Sequence, residues 1–506
     1  MTQKIQKRLN DSKAARWGAL IIVSFTMMMA YFFTDVMGPL EAPLTTKGKL
    51  VYFTDGTYLS ADSLSKVSMQ RIECEEEIVA GNTYNISYAD KEGEVITAQR
   101  TVSSTINGLG WGGDDYGIFS GAYGYINVFL LMLFFGGIIL DKMGVRFTGL
   151  MSTALMFIGA AIKWYAVSRG FEGEILGLPT QVTIACLGFA VYGMGAEIAG
   201  ITVTKVIAKW FTGHEMALAM GLQVALARVG TACALFFALP IAQSFGEISA
   251  PVMIGASALC IGLLSYIIYC VMDKKLDASM EGDTIGEDSE EQFKFSDLKH
   301  IFCNKGFWLI TLLCLIFYSA VFPFLKFATN LMIIKYNVSP ELAGIIPGLL
   351  PFGTILLTPL FGSLYDKMGK GATLMIIGSI LLTIVHILFA LPLLNVWWFA
   401  VIIMILLGIA FSLVPSAMWP SVPKIIPLKQ LGSAYAIIFY IQNIGLSMVP
   451  VLIGNVIKNN TANGTTDYTM PMSIFALFGA IAVVISILLK VVDKRYGYGL
   501  EKKNME

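Results

Sequence analysis

The chain has 506 residues, of which 56% are hydrophobic and only 14% are charged, and its mean hydropathy is +0.70. This composition excludes a water-soluble globular domain and indicates an integral membrane protein. Basic and acidic residues number 35 each, so the formal net charge is zero and no nucleic-acid partner is expected.

Twelve apolar segments are long enough to cross the roughly 30 Å hydrocarbon core of a bilayer. They centre on residues 16–38, 118–140, 147–168, 182–205, 216–241, 252–272, 307–330, 342–363, 372–392, 396–419, 431–457 and 472–492. Backbone polar groups cannot stay unpaired in lipid, and the segments are too long and too continuously apolar for barrel strands. Each segment is therefore predicted to be a helix in the lipid bilayer.

The distribution of basic residues predicts the orientation of these helices. Cations concentrate in the tail before the first span and in alternate turns, among them Lys4, Lys7, Lys13, Lys142, Lys209, Lys274, Lys367 and Lys424. The positive-inside rule places these segments in the cytoplasm, so both termini are predicted to lie there. The first apolar run is long and lacks a cleavage pattern, so no cleavable signal peptide is expected.

Two polar segments interrupt the spans and predict the domain organisation. Residues 273–305 contain the acidic stretch EGDTIGEDSEE and separate six spans from six. We therefore predict an N-terminal six-helix half at 1–272, a cytoplasmic linker at 273–305 and a C-terminal six-helix half at 306–506. The other polar segment, at about 41–116, is predicted to be an outer insert with a strand-rich cap, because patches such as YNISY and GEVITAQR alternate in polarity.

The tetrapeptide DKMG occurs at residues 141–144 and again at 366–369, each time after the second span of its half. This spacing indicates an internal repeat. A tight turn between membrane helices needs small residues where the helices approach, a carboxylate near the next helix and a cation facing the lipid headgroups. The residues of this kind are Gly137, Asp141, Lys142, Gly144 and Arg146 in the first copy, and Gly362, Asp366, Lys367, Gly369 and Lys370 in the second. A basic turn without further function would show the same pattern.

The pattern G-x-x-x-D-[RK]-x-G-x-[RK] at both positions resembles the signature loop of the major facilitator superfamily. The resemblance implies an all-α membrane fold of twelve helices in two pseudo-symmetric six-helix bundles. It also implies that the two loops hold the halves together on the cytoplasmic side in the outward-open state. They are therefore expected to act in gating.

A narrower resemblance rests on stretches in both halves. They are GAEIAG (195–200), GLQVALARVG (221–230), FYSAVFPF (317–324), SAMWPSVPKIIPLKQLGSAYA (416–436) and YIQNIGL (440–446). These stretches resemble the branch that contains lysosomal dipeptide uniporters. The outer insert departs from that branch, and the N-terminal tail lacks a dileucine-type sorting signal. The cell (inner or plasma) membrane is therefore expected in preference to the lysosome.

Two opposite charges are predicted deep in the first half, where ionisable groups are costly and mark functional sites. At 1.5 Å per residue, Glu197 and Arg228 lie at similar depth, roughly 18 and 22 Å from the cytoplasmic ends of consecutive spans. A direct carboxylate–guanidinium pair is predicted, with which a substrate could exchange through its amino group on Glu197 and its carboxylate on Arg228. A purely structural ion pair is the alternative.

Other buried charges have weaker predicted roles. Asp35 and Lys326 lie about 20 residues into equivalent spans and could meet across the halves as an outer gate, or could be two independent interface charges. Lys163 and Lys205 lie nearer helix ends, so both are expected to snorkel to the headgroups.

Polar and aromatic residues near the family-like stretches complete the predicted substrate site. Aromatic residues in membrane helices usually pack or form an interfacial belt. The aromatic candidates are Tyr31, Tyr125, Tyr318, Trp419 and Tyr440. Gln442 and Asn443 are polar groups within the eleventh span and should face the cavity or another helix.

The predicted function is secondary transport by alternating access, with a small solute at the midplane between the halves. A zwitterionic dipeptide or short peptide suits one acid and one base better than a sugar does. The alternatives are a sugar or organic-anion transporter of the same fold and a solute sensor that does not transport.

The chain has only three histidines and no HExxH, GxSxG or Walker motif in a catalytic context, so neither an enzyme nor a cofactor is expected. No metal site is predicted, because the seven cysteines are scattered. The sequence does not indicate whether an accessory subunit is present.

Overall fold

The computed structural model describes residues 9–60, 78–89, 95–211, 216–280, 301–392, 394–427, 431–462 and 465–503. The acidic stretch of the predicted linker lies outside these ranges, as does Cys74. Eleven helices in the described ranges are long and apolar enough to cross a membrane.

We call the helices before the predicted linker the first half and those after it the second half. The first half contains α1 (Lys13–Asp35), α2 (Glu41–Thr45), α3 (Gly113–Gly121), α4 (Tyr125–Phe129), α5 (Met132–Ser168), α6 (Thr180–Phe211), α7 (Met216–Phe245) and α8 (Ser249–Met280). The second half contains α9 (Lys305–Tyr336), α10 (Pro340–Ala343), α11 (Ile345–Met368), α12 (Gly371–Ala390), α13 (Trp397–Ile425), α14 (Leu431–Asn459) and α15 (Thr469–Tyr496). All twelve predicted spans therefore fall on helix.

The second predicted span is helical but divided. Residues 118–140 run through α3, a short 3-10 turn at Ala122–Gly124, α4 and the first part of α5. Leu131 has a φ of 52° at the junction of α4 and α5, a left-handed backbone that ends the ladder of helical hydrogen bonds. The next break is at Gly144 inside α5, where φ is 75°, so the turn expected at the first DKMG is present.

The predicted insert between the first two spans contains a small antiparallel sheet. Its strands are β1 (Lys47–Phe53), β2 (Tyr58–Ser60), β3 (Thr83–Ala89) and β4 (Val95–Leu109), in the order β2-β1-β4-β3. YNISY lies in β3 and most of GEVITAQR lies in β4, as their alternation predicted. Two-residue ribbons join Glu174–Ile175 to Leu178–Pro179 and Thr461–Ala462 to Thr465–Thr466.

The long helices run between two faces of the molecule. We call one the sheet face, because α1 leads there into α2 and β1. We call the opposite one the basic face, because it carries Lys13, Lys142, Lys209, Lys274 and Lys367. The main helix contacts between the halves are those of α3 with α14 and of α7 with α11.

Glycines allow the halves to touch closely near the sheet face. A Cβ on Gly117 of α3 would lie 2.5 Å from the carbonyl oxygen of Pro450 on α14, and one on Gly344 would lie 1.8 Å from that of Leu235. A larger residue would separate these backbones. Near the basic face, by contrast, a Cβ on Gly137 or Gly362 would meet no atom of the described chain within 4 Å. The described halves therefore touch closely at the sheet face, whereas Gly137 and Gly362 near the basic face have open space beside them.

Candidate functional site

Glu197 of α6 is held by a phenol and not by a cation. The Tyr123 hydroxyl donates a hydrogen bond of 2.8 Å to Glu197 Oε1. Tyr123 reaches this position because Gly193, one helical turn before Glu197, leaves room for it: a Cβ there would lie 2.0 Å from the carbonyl oxygen of Tyr123. The second carboxylate oxygen remains available to a ligand.

Arg228 of α7 lies among aromatic rings from both halves. Its guanidinium carbon is 5.8 Å from the ring centroid of Tyr31, 5.6 Å from that of Phe322 and 5.7 Å from that of Phe411. Tyr31 belongs to α1 of the first half, whereas Phe322 and Phe411 belong to α9 and α13 of the second. Each such cation–π contact contributes roughly 0.5–1 kcal/mol and leaves the five N–H donors of the guanidinium free to bind an anion.

The predicted direct pair between Glu197 and Arg228 was wrong. No ion pair joins their side chains, although both residues are described. The Tyr31 side chain is near enough to each charge to interact with it electrostatically, so the acid and the base lie around this one phenol without contacting each other. The physical reason is that each has another partner, a phenol for the acid and ring faces for the base. Similar depth on neighbouring helices therefore did not imply contact.

Aromatic side chains of the second half extend the wall beside Arg228. Trp419 Nε1 donates a hydrogen bond of 3.0 Å to the Tyr318 hydroxyl, and the Tyr318 ring packs edge-on against Phe411 at 5.8 Å. Trp419 also stacks on Phe439 with centroids 5.0 Å apart. We define the central cluster as Tyr31, Tyr123, Glu197, Arg228, Tyr318, Phe322, Phe411 and Trp419.

Sequence reasoning missed three members of the central cluster, Tyr123, Phe322 and Phe411. Phe322 lies inside the family-like stretch FYSAVFPF, which was a usable signal. Tyr123 and Phe411 follow no pattern that separates them from packing aromatics. Only the path of the backbone brings them to the charges.

Four predicted site residues lie outside these contacts. The Tyr125 hydroxyl donates to the carbonyl oxygen of Ile118 at 3.1 Å. Gln442 Oε1 accepts from Cys314 Sγ on α9, and Asn443 Nδ2 donates within its own helix. Tyr440 is half-buried, and none of the described hydrogen bonds or ring contacts links it to the central cluster.

Asp35 and Lys326 meet across the halves near the sheet face. Lys326 Nζ is 2.6 Å from Asp35 Oδ1 and also donates to the carbonyl oxygen of Thr34 at 2.9 Å. The Tyr116 hydroxyl donates to the carbonyl oxygen of Lys326 at 2.8 Å. The two charged side chains are only 16% and 15% exposed, so solvent screens the pair weakly.

Lys163 does not snorkel, contrary to prediction. It is fully buried, and its ammonium group lies 4.3 Å from the Phe33 ring centroid and 4.2 Å from that of Phe189. It donates to the carbonyl oxygen of Phe33 at 3.2 Å. The side chain turns inward toward α1, so its position along the helix did not predict its direction. Lys205 is half-buried on α6.

The repeated loops differ from their prediction in one respect. Gly137 and Gly362 were expected where helices approach, but both face open space in this conformation. The loop glycines Gly144 and Gly369 do adopt a left-handed φ, of 75° and 70°. The cations Lys142, Lys367 and Lys370 are exposed, Asp366 is half-buried, and the side chain of Asp141 lies outside what the structure describes.

Arg146 belongs to a charge network that sequence reasoning did not identify. It pairs with Asp273 at 3.2 Å and Asp277 at 2.5 Å, and Lys209 pairs with the same two carboxylates at 2.8 and 2.7 Å. The Asp273 carboxylate also accepts from Trp210 and Tyr269. The network ties the first loop to α6 and α8 within the first half, so in this conformation Arg146 does not join the halves.

Comparison with known proteins gives consistent results. The family model described as Major Facilitator Superfamily matches residues 95–450 and 327–503. The chain is 26% identical over 388 residues to the protein named "Lysosomal dipeptide transporter MFSD1" of Bos taurus, covering 75% of this chain and 77% of that one. It is 27% identical to the protein of the same name from Danio rerio, covering 66% and 70%.

Solved structures share the fold at low sequence identity. The nucleoside transporter NupG superposes with a TM-score of 0.59 at 13% identity, covering 95% of this chain and 99% of that one. A mutant of the peptide transporter POT gives 0.60 at 12% identity, covering 96% and 95%. A D-xylose-proton symporter gives 0.58 at 14%, covering 94% and 97%. Neighbours with such different substrates establish the fold alone.

Proposed function

Because this chain belongs to the major facilitator superfamily, we propose that it is a secondary transporter that moves dipeptides or short peptides by alternating access. The mammalian and fish relatives named as dipeptide transporters support this substrate. The observation that carries the proposal is that an acid and a base, Glu197 and Arg228, both interact electrostatically with Tyr31 and form no ion pair with each other.

A dipeptide matches this arrangement in charge. Its ammonium group would bind the free oxygen of Glu197, whose other oxygen already accepts from Tyr123. Its carboxylate would take paired N–H donors of Arg228, a charge-assisted geometry that guanidinium groups favour. The rings around Arg228 come from both halves, so substrate bound there would contact the two parts that move relative to each other. Tyr318 and Trp419 would offer an aromatic surface to side chains of varied size.

In the proposed transport cycle, the sheet face and the basic face open in turn. The Asp35–Lys326 ion pair joins the halves near the sheet face in the present conformation, and its separation would admit substrate from that side. The loops at Asp141 and Asp366 would govern closure of the basic face. The halves 1–272 and 306–506 would move about the central cluster as two bodies joined by the 273–305 linker.

The membrane orientation is also a proposal. The basic face would lie in the cytoplasm with both termini, and the sheet would lie outside. Location in the cell membrane rests on the missing sorting signal. The relatives are named lysosomal, which gives that location no support.

Counterflow of labelled solutes in proteoliposomes tests the substrate class. We expect unlabelled dipeptides to drive counterflow without ATP and free sugars to fail. A sugar or organic anion that accumulates while dipeptides neither enter nor compete would refute the assignment. Dipeptide binding without counterflow would identify a sensor.

Peptides with one blocked terminus test the two charges. Glu197→Gln and Arg228→Ala should each weaken dipeptide binding by about 2–5 kcal/mol, or roughly 30- to several thousand-fold, because the partner charge is left without its ligand. An N-acetylated dipeptide should lose little further affinity in Glu197→Gln, and an amidated one little further in Arg228→Ala. The matched controls are Glu172→Gln and Arg169→Ala, both at exposed positions. Equal responses of free and blocked peptides to both mutations would mean that the peptide is held elsewhere.

A further inference from the structure

Glu41 is a buried acid at the boundary between the halves. It begins α2, a short helix that follows the Asp35 end of α1 and packs against β4, α3 and α9. Only 2% of the residue is exposed. It lies beyond the Asp35–Lys326 pair along the chain, on the side of the molecule that carries the sheet.

The hydrogen-bond partners of the Glu41 carboxyl group come from the second half. The Tyr468 hydroxyl donates to Glu41 Oε1 over a long 3.5 Å, and Asn330 Nδ2 donates to the same hydroxyl at 2.9 Å. Asn330 lies one helical turn after Lys326 on α9, and its side chain is within hydrogen-bonding reach of the Glu41 carboxyl group. The Asp35–Lys326 pair and the contacts among Glu41, Asn330 and Tyr468 therefore form one polar seam between the halves.

Two oxygens in this seam lack a donor. Glu41 Oε2 and Asn330 Oδ1 are both buried, and neither has a hydrogen-bond partner among the described residues. A buried acceptor left unpaired costs roughly 1–3 kcal/mol. A protonated Glu41 would supply the missing O–H donor, whereas an ionised Glu41 would leave both oxygens unpaired.

An ionised Glu41 would have no compensating cation among the described residues. Within the described chain, no basic group lies within ion-pair distance of Glu41. The titratable groups that interact with it are the phenols of Tyr58, Tyr116 and Tyr468. Burial raises the pKa of Tyr58 to about 12, and phenols ordinarily titrate near 10, so these groups stay neutral. Burial likewise raises the pKa of Glu41 well above its ordinary value, although the bonds from Asn330 and Tyr468 oppose the shift.

We propose that Glu41 is a proton-binding site that locks the sheet-face gate, holding a proton while the gate is closed and releasing it to the sheet-face solution when the halves part. Opening would remove Asn330 and Tyr468 from Glu41 and admit water to the carboxyl group. The proton would exchange with one solution only, so Glu41 would regulate transport and would not carry protons across. The proposal rests on alternating access and is independent of the substrate.

The direction of the pH effect follows from the proton count. The closed gate binds more protons than the open gate, so acid at the sheet face favours closure. As the pH rises above the ordinary glutamate value of about 4.3, the open gate ionises first and gains population. The effect ends once the pH passes the raised pKa of the closed state. Each unit of pKa difference between the states changes their ratio about tenfold.

The test measures gate opening directly in the full chain. Spin labels at Glu172 and Asn395, exposed positions in sheet-face loops of the two halves, report the separation of the halves by pulsed electron resonance. Between pH 5 and pH 8 we expect the open fraction of wild type to rise about tenfold or more, relative to the closed fraction. Glu41→Gln, which stays neutral, should remain closed throughout. The matched control Glu247→Gln changes an exposed carboxylate on the same face and should keep the wild-type profile.

Two further measurements apply if Glu41→Gln does not fold. Tyr468→Phe removes a bond that favours the ionised acid, so its opening profile should move to higher pH. Infrared spectra of wild type should contain a protonated-carboxyl band at pH 6 that Tyr468→Phe shifts in frequency. A wild-type distance distribution that is the same at every pH would overturn the proposal, as would a Glu41→Gln or Tyr468→Phe profile identical to that of wild type.

Discussion

The Asp35–Lys326 pair should contribute strongly to closure of the sheet face. At 2.6 Å, two unit charges attract by about 6 kcal/mol at an effective dielectric constant of about 20, and desolvation of the two groups offsets a large part of this. We therefore expect a coupling energy of about 2–4 kcal/mol, which is roughly a 30- to 1000-fold change in the ratio of closed to open gate.

The two single substitutions should not be equivalent. Asp35→Asn leaves Lys326 its bond to the carbonyl oxygen of Thr34, so part of the closure remains. Lys326→Gln leaves the Asp35 carboxylate without a cation and should open the gate further. The swapped pair should recover only part of the closure, because an aspartate at position 326 cannot donate to Thr34.

A double-mutant cycle on the same label pair, Glu172 with Asn395, measures this coupling. The labels require a background in which the seven native cysteines are replaced and transport is retained. The ion pair of Lys458 with Asp114 also links the halves at 2.7 Å, but its lysine is 56% exposed, so the same cycle there should give a much smaller coupling. Additive effects of the Asp35 and Lys326 substitutions would refute the gate.

Three further predictions concern the basic face. Gly369→Ala should lower thermal stability by roughly 1–3 kcal/mol, because φ is 70° and the new Cβ would lie 2.7 Å from the carbonyl oxygen of Glu501. The control Gly497→Ala, where φ is also positive but no described atom lies near the new Cβ, should lower stability less. Asp273→Ala should cost about 3–5 kcal/mol in a denaturation assay, and Asp277→Ala, whose side chain is 39% exposed, under about 1 kcal/mol. Gly137→Val should leave the present conformation stable yet slow transport. Equal stabilities within either pair, or unchanged transport in the last variant, would contradict these expectations.

The sequence predicted the fold well because membrane physics restricts the choices. Apolar length identified the helices, and the repeat of DKMG identified the family. The divided second span was missed because its breaks are the 3-10 turn at Ala122–Gly124 and the left-handed backbone at Leu131, which come from packing and leave no mark in hydropathy. The eleven continuous helices are the segments for which length alone suffices.

Side-chain contacts were less predictable than helices. Depth along a helix placed Asp35 and Lys326 at the same level, and they meet. The same argument placed Glu197 and Arg228 at one level, and they do not pair. Depth leaves the rotation of each helix undetermined, and rotation decides whether a side chain meets a charge, a ring or a carbonyl group. Lys163 shows the same limit, since its rotation buries it between rings.

A transporter must populate both states, so contacts that close the sheet face must be nearly balanced by contacts that form only when the basic face closes. A coupling of about 2–4 kcal/mol between Asp35 and Lys326 would otherwise hold the gate shut. Gly137 and Gly362, which face open space here, are available for the opposing contacts. Ionisation of Glu41 would then weaken closure when the sheet-face solution is neutral. Because Glu41 lies beside the proposed gate and outside the central cluster, pH would change how often substrate enters without changing which substrate is held.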